Sequence, residues 1–186
     1  MNNTINIIGF TGSLRHNSYN KATLRAAKEL LPDNASLEIF DIALIPFFNE
    51  DLEEEGIPKS VITFKSKLST ADAILISTPE YNYSIPPALK NALDWASRGP
   101  YFPLDGKPLA IMSASPSMFG GVRVQYQLRQ VCVGLNLLVI NKPEVFITKA
   151  NTKFDMDGKL IDEYTRNSIS KLLNVLIDNA REIKTI

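Results

Sequence analysis

The sequence predicts an α/β fold: a doubly wound, five-stranded parallel sheet in the strand order 2-1-3-4-5. Three observations carry this expectation. Short apolar, β-branched runs alternate along the chain with longer segments of helical periodicity. Residues 5–10, 73–77 and 109–113 are almost purely hydrophobic, as suits strands covered on both faces at the centre of a sheet. Right-handed crossovers between parallel strands favour this order, which opens a ligand crevice at the carboxyl ends of strands one and three.

The elements follow in turn. Strands are predicted over 5–10, 37–41, 73–77, 109–113 and 145–148, each an apolar or β-branched run bounded by polar or turn residues. Helices are predicted over 20–31, 58–69, 86–96, 122–135 and 161–183. The last places Ile169, Leu172, Leu173, Leu176 and Ile177 at three- and four-residue spacing, one apolar stripe for the sheet. The stretch 46–58 is irregular and rich in Asp and Glu, and reads as a solvated loop. With no repeat, low-complexity tract or linker, residues 1–186 read as a single domain.

Composition narrows the function. Among 186 residues, 45% hydrophobic, 20 basic and 20 acidic side chains cancel, so no long-range field gathers nucleic acid or an anionic membrane. One cysteine, Cys132, and one histidine, His16, leave no internal disulfide and no Cys/His zinc site. Cys132 shares a helical spacing with Leu128, Val131 and Leu135 and reads as a buried small hydrophobe. His16 is assigned no catalytic role. The start, Met1-Asn2-Asn3-Thr4, lacks a basic segment, and the apolar run 5–10 is too short for a signal peptide or a span. A cytoplasmic protein that keeps its whole chain is expected.

Three loops carry the chemistry. After the first strand comes Thr11-Gly12-Ser13-Leu14-Arg15-His16-Asn17-Ser18-Tyr19-Asn20, leading into a helix. Gly12 permits a tight turn, Ser13 and Ser18 offer hydroxyls, Arg15 offers a planar fork, and a helix start attracts an anion. The loop lacks the Gly-Lys-Ser/Thr ending of a P-loop and the G-x-G-x-x-G of a dinucleotide fingerprint, which points to a terminal monophosphate. Turn and N-cap chemistry explains the same residues as well. After the third strand, Pro79-Glu80-Tyr81-Asn82-Tyr83-Ser84-Ile85-Pro86-Pro87 is stiffened by prolines. Its backbone and the Asn82 amide suit the edge of a flat heterocycle, on which Tyr81 can pack. The alternative is a rigid surface turn presenting tyrosines to another subunit. Ser113-Ala114-Ser115-Pro116-Ser117-Met118-Phe119-Gly120-Gly121 forms a third loop on the same rim, where small residues let backbone approach a ligand or simply break the chain before a helix.

Together these loops resemble the NADPH-dependent FMN reductase family of flavodoxin-like proteins, in particular its soluble quinone and chromate reductase group. The resemblance rests on Gly12-Ser13-Leu14-Arg15 with Ser18 and Asn20, and on Thr78-Pro79-Glu80-Tyr81-Asn82-Tyr83-Ser84 with Leu89-Lys90-Asn91-Ala92 and Asp94-Trp95. Gly120-Gly121, Arg123, Gln125-Tyr126, Leu128-Arg129-Gln130 and Asn141-Lys142-Pro143-Glu144 also match. It implies a tightly but non-covalently bound FMN. Ser13, Arg15, Ser18 and Asn20 would hold the phosphate, Pro79, Glu80, Tyr81 and Asn82 would line the isoalloxazine, and Ser115, Leu14 and Tyr19 would complete the site. Pro87 and Pro116-Ser117 stand where the family pattern favours glycine, which bears on the acceptor pocket.

The resemblance further implies ping-pong hydride transfer from NADPH or NADH to quinones, with chromate, azo dyes and other oxidants as side substrates. FMN carries the chemistry, so no side chain is assigned as catalytic. Two rival readings are a flavin reductase that releases reduced FMN and a flavodoxin-type electron carrier. Carriers usually have an acidic surface and a phosphate loop without arginine, unlike this balanced chain with Arg15. A homodimer or homotetramer is expected, with Arg123, Tyr126, Arg129 and Glu144 as candidate contacts between subunits.

Overall fold

The computed structural model describes residues 4–185, so the expectation about residues 1–3 lies outside them. The chain runs β1 (Ile5–Thr11), α1 (Tyr19–Glu29), β2 (Ala35–Ile39), α2 (Glu50–Glu55), α3 (Lys59–Thr70), β3 (Ala73–Thr78) and α4 (Pro87–Ala96). It continues with β4 (Pro108–Ala114), α5 (Val122–Gly134), β5 (Leu138–Val139), β6 (Val145–Ile147) and α6 (Glu163–Lys184). All pairs are parallel, in the order β2-β1-β3-β4-β5, and β6 also pairs with β4.

The period-two alternation of the central strands sorts their side chains onto two faces. Ile5 and Ile7, Ala73 and Leu75, Ala110 and Met112 point toward α1 and α6, where Leu24, Ala27, Leu172, Leu173 and Leu176 meet them. Ile8 and Phe10, Ile74 and Ile76, Leu109 and Ile111 point the other way, against Val61, Phe64 and Leu68 of α3, Leu89, Leu93 and Trp95 of α4, and Leu128 and Cys132 of α5. Strands buried on both faces need few polar residues, which is why these runs are largely apolar; Asn6, near the start of β1, is exposed. Cys132 is fully buried, as its spacing predicts, and burial pushes its thiol up to about 12.

Two expectations need correction. The sheet has six strands, not five, because its outer border is split. Leu138–Val139 pairs with Pro108–Leu109 at one end of β4, and Val145–Ile147 pairs with Met112–Ala114 at the other. The chain between leaves the ladder and is held by side chains of α5. Arg129 donates to the Ile140 carbonyl at 2.9 Å and to Asn141 Oδ1 at 3.0 Å, and buried Gln125 donates to the Val145 carbonyl at 2.9 Å.

The second correction is within 46–58, where the acidic stretch contains the helix α2. Asn49 caps it by accepting from the Asp51 N–H at 3.0 Å, and the carboxylates of Glu50 and Asp51 lie at the favourable end of its dipole. Arg98 beyond α4 grips Glu53 at 2.7 Å, and Leu52 packs against the core. Tertiary partners supply what six charged and apolar residues cannot supply alone.

Candidate active site

The rim formed by the carboxyl ends of β1, β3 and β4 gathers the three loops. In the first, Thr11 Oγ1 accepts the Ser13 N–H at 3.2 Å, folding the chain back at once after the strand. Gly12 is pressed against the second loop. A β-carbon there would lie 2.8 Å from Thr78 Oγ1 and 2.9 Å from Pro86 Cγ, closer than real contacts allow. Ser18 caps α1, its Oγ accepting from the N–H groups of Asn20 at 3.2 Å and Lys21 at 3.4 Å.

Asn20 clamps the rim. Its Oδ1 accepts from the Ala114 N–H at 2.9 Å and the Ser77 hydroxyl at 3.0 Å, while Nδ2 donates to the Ala114 carbonyl at 3.0 Å. The side chain is buried, so these bonds tie the start of α1 to the ends of β3 and β4 in an environment where losing them is costly. Asn20 therefore acts on the site by fixing the positions of the loops on either side of it.

The second loop makes a two-residue hairpin. Tyr81 and Ser84 exchange backbone hydrogen bonds of 3.1 and 2.9 Å, and Asn82 and Tyr83 both adopt positive φ, at 49° and 64°. This is a type I′ turn, a shape that a large aromatic residue adopts only where its surroundings enforce it. The surroundings are α5: Gln127 Nε2 donates to the Tyr83 carbonyl at 2.7 Å, and Ser84 Oγ donates to Gln127 Oε1 at 2.7 Å. The Arg123 guanidinium lies between two rings, 4.2 Å from the centroid of Tyr83 and 4.4 Å from that of Phe119.

Arg123 also pairs with Glu80. The Glu80 carboxylate accepts from the N–H groups of Arg123 at 3.0 Å and Val124 at 3.2 Å, and from the Arg123 side chain at 3.2 Å. It thereby caps α5, whose own N-cap position is Gly121, a residue with no side chain to give. Gly121 sits at φ +83°, and a β-carbon there would come 2.8 Å from that of Ser113, so the third loop turns into α5 only with glycine.

These constraints leave a cleft of about 270 Å³, lined by Ser13, Arg15, Ser18, Tyr19, Asn20, Pro79, Glu80, Tyr81 and Ser115 together with Ala114 and Pro116. Sequence reading proposed all of these except Ala114 and Pro116. It also proposed Leu14 and Asn82, which the structure places outside the lining. Leu14 is half-exposed, and Asn82 sits at the tip of the hairpin. Ala114 went unnoticed because it contributes backbone, which no residue type advertises. The capping role of Glu80 and the grip of Gln127 depend on contacts spanning more than 40 residues, which leave no local pattern.

The chemistry of the lining suits a phosphate monoester. Ser13 and Ser18 are almost fully buried, yet among the described residues neither hydroxyl donates to a protein acceptor. Arg15 makes no ion pair among the described residues, whereas the one carboxylate in the lining, Glu80, is neutralised by Arg123. The net charge facing the cleft is therefore positive, beside a helix N-terminus. No cluster of metal-ligating side chains occurs among the described residues.

Known proteins resemble this chain along most of its length. The family described as NADPH-dependent FMN reductase matches residues 5–152. The chain is 47% identical over 176 residues to a Pseudomonas aeruginosa NAD(P)H-dependent FMN reductase, covering 95% of each protein. It is 38% identical over 189 residues to the quinone reductase of Escherichia coli K12, covering 99% of this chain and all of that one. Among solved structures, the flavoenzyme NAD(P)H:acceptor oxidoreductase FerB of Paracoccus denitrificans superposes with a TM-score of 0.87 at 29% identity, over 96% of this chain and 98% of that one. A family match over most of the chain, with identities of this size along its length, establishes that the chain belongs to the NADPH-dependent FMN reductase family.

Proposed function

We propose that this protein holds FMN non-covalently in the rim cleft and transfers two electrons from NADPH or NADH to small oxidants, quinones foremost. The observation that carries the reading is the coincidence, at the crevice between β1 and β3, of two buried serine hydroxyls that donate to no protein acceptor and a guanidinium that makes no ion pair among the described residues. The relatives named as FMN and quinone reductases support it.

Ser13, Arg15 and Ser18 hold the phosphate in this reading, and Asn20 keeps their loop in register with β3 and β4. Pro79 and Tyr81 line the ring side of the cleft, and the Glu80–Arg123 pair holds that wall still. Flavin supplies hydride chemistry when bound, so the side chains need only bind, orient and exclude water. Ser115 and Pro116 complete the lining, and in this reading the nucleotide and the acceptor occupy the same exposed flavin face in turn. That is a ping-pong order. Chromate, azo dyes and other oxidants small enough for the same opening are secondary acceptors.

A homodimer or homotetramer in the cytoplasm is part of the proposal. Exposed Tyr83, Phe119 and Tyr126, with Arg123, Arg129 and Glu144, supply its contacts. The single cysteine, a buried thiol, suits a reducing compartment.

The test is direct. The purified protein should be yellow through gel filtration and release FMN on denaturation. Without air it should bleach with NADPH and recover its colour with benzoquinone, and initial rates with both varied should give parallel double-reciprocal lines. A folded, colourless protein that takes up no added FMN at micromolar concentration would overturn the reading.

A further inference from the structure

The rim holds a second and larger cleft, of about 510 Å³, which the cofactor reading leaves unused. It shares Arg15, Ser18 and Tyr19 with the FMN cleft, so the two open on either side of the same loop. One wall is the face of α1 that presents Ser18, Ala22 and Arg25 at four- and three-residue steps. The other is the loop after β6. There Phe154 packs on Tyr19 with ring centroids 5.6 Å apart, and Gly158, at φ +76°, brings its backbone so near that a β-carbon would lie 3.0 Å from Arg25 Nη2.

The charge of this cleft is unusual. Among the described residues neither Arg15 nor Arg25 makes an ion pair, although both face the same space. Two carboxylates share it. Asp155 accepts from the N–H groups of Asp157 at 3.0 Å and Lys159 at 2.8 Å, which ties its carboxylate to its own turn but leaves it charged, so both carboxylates offset the two arginines. The Arg15 guanidinium lies 5.7 Å from the centroid of the Tyr19 ring, a flat surface at the junction of the two clefts.

We propose that this second cleft receives the phosphorylated adenosine half of the nicotinamide dinucleotide, with Arg25 taking the 2′-phosphate that distinguishes NADPH from NADH. The proposal rests on FMN occupying the neighbouring cleft, because Arg15, Ser18 and Tyr19 line both clefts and so put the second next to the first, where the far half of a dinucleotide bound at the flavin can lie. A guanidinium fork matches a terminal phosphate in shape and charge, and an arginine near the ribose is a general solution for a 2′-phosphate. The Arg15–Tyr19 surface offers adenine a place to stack. Arg25 lies outside the FMN cleft and is exposed, so replacing it disturbs neither the fold nor the cofactor.

The experiment compares the FMN-loaded parent with Arg25→Ala and Asp157→Asn. In Arg25→Ala, KM for NADPH should rise about tenfold while kcat, KM for NADH and retained FMN stay unchanged. Adenosine 2′,5′-bisphosphate, titrated calorimetrically, should bind the parent and lose about tenfold in affinity to Arg25→Ala. Adenosine 5′-monophosphate should bind both equally. Asp157→Asn should shift the NADPH constants in the opposite direction. If both variants match the parent in KM for NADPH and in bisphosphate binding, the second cleft is not the adenosine site. Equal weakening of NADH and NADPH would overturn the 2′-phosphate assignment. Loss of FMN from the parent itself would instead refute the cofactor reading, so the two failures are distinguishable.

Discussion

Glu80, in the loop after β3, caps the helix that begins beside Arg123, 43 residues further along the chain, and pairs with that arginine's side chain. One carboxylate thus fixes the wall of the rim cleft to α5. Glu80→Ala removes the cap and leaves Arg123 with its two rings alone, at a cost of about 1 to 2 kcal/mol. A fall in Tm of roughly 2 to 8 °C is expected, and Glu80→Gln should recover part of it. A melting curve identical to that of the parent would show that the cap contributes nothing.

Asn20→Ala strands the Ala114 N–H, the Ala114 carbonyl and the Ser77 hydroxyl in a buried position. Lost bonds and unsatisfied groups together predict a loss of about 2 to 4 kcal/mol, read from urea unfolding at unchanged slope. Because the same bonds position the loop proposed to hold the FMN phosphate, FMN affinity should fall even under conditions in which the variant remains folded. Full affinity in a destabilised variant would separate the clamp from the site.

Arg15→Ala should weaken FMN by about 1.5 to 3 kcal/mol, or roughly 10- to 150-fold in Kd, while the unfolding transition of the apoprotein stays in place. Arg15 is exposed and pairs with no acid among the described residues, so only the bound anion should notice its loss. Ser13→Ala should act in the same direction by about 1 kcal/mol. Unchanged flavin retention in Arg15→Ala would remove the phosphate from this loop.

Cys132 gives stability a pH dependence on the alkaline side. Burial raises its thiol from about 9 to about 12, so above pH 9 the unfolded chain loses a proton that the folded chain keeps. Stability from this group is complete below pH 9 and is lost as pH rises toward 12. Lys65 and Lys107 act in the opposite sense, since burial lowers their affinity for a proton. The difference between parent and Cys132→Ala isolates the thiol: between pH 9 and 11 the destabilising effect of the substitution should shrink by about 1.4 kcal/mol per pH unit. A constant difference across that range would contradict the assignment.

The parts of the fold legible in the sequence are those in which a single residue type states its own environment. Strands buried on both faces read as nearly unbroken apolar runs, and the stripe from Ile169 to Ile177 marks a face of α6 that is buried throughout. The rim loops were legible because prolines, glycines and serines restrict backbone or offer donors locally. What could not be read depends on partners far along the chain. The helix Glu50–Glu55 owes its place to Arg98, the split border to Arg129 and Gln125, and the strained Tyr83 to α5. The bonds from Asn20 to Ser77 and Ala114 likewise join positions far apart in the sequence, and its residue type alone does not announce them.

The divided border of the sheet has a bearing on how the protein behaves when crowded. A strand at the margin of a sheet normally exposes a row of free amides and carbonyls on which a neighbouring molecule can add its own strand. Here two residues pair at one end of β4 and three at the other, and the chain between them bows away under the hold of Arg129 and Gln125. No straight template of useful length is left, and that margin should resist fibril-like stacking without help from charge or proline.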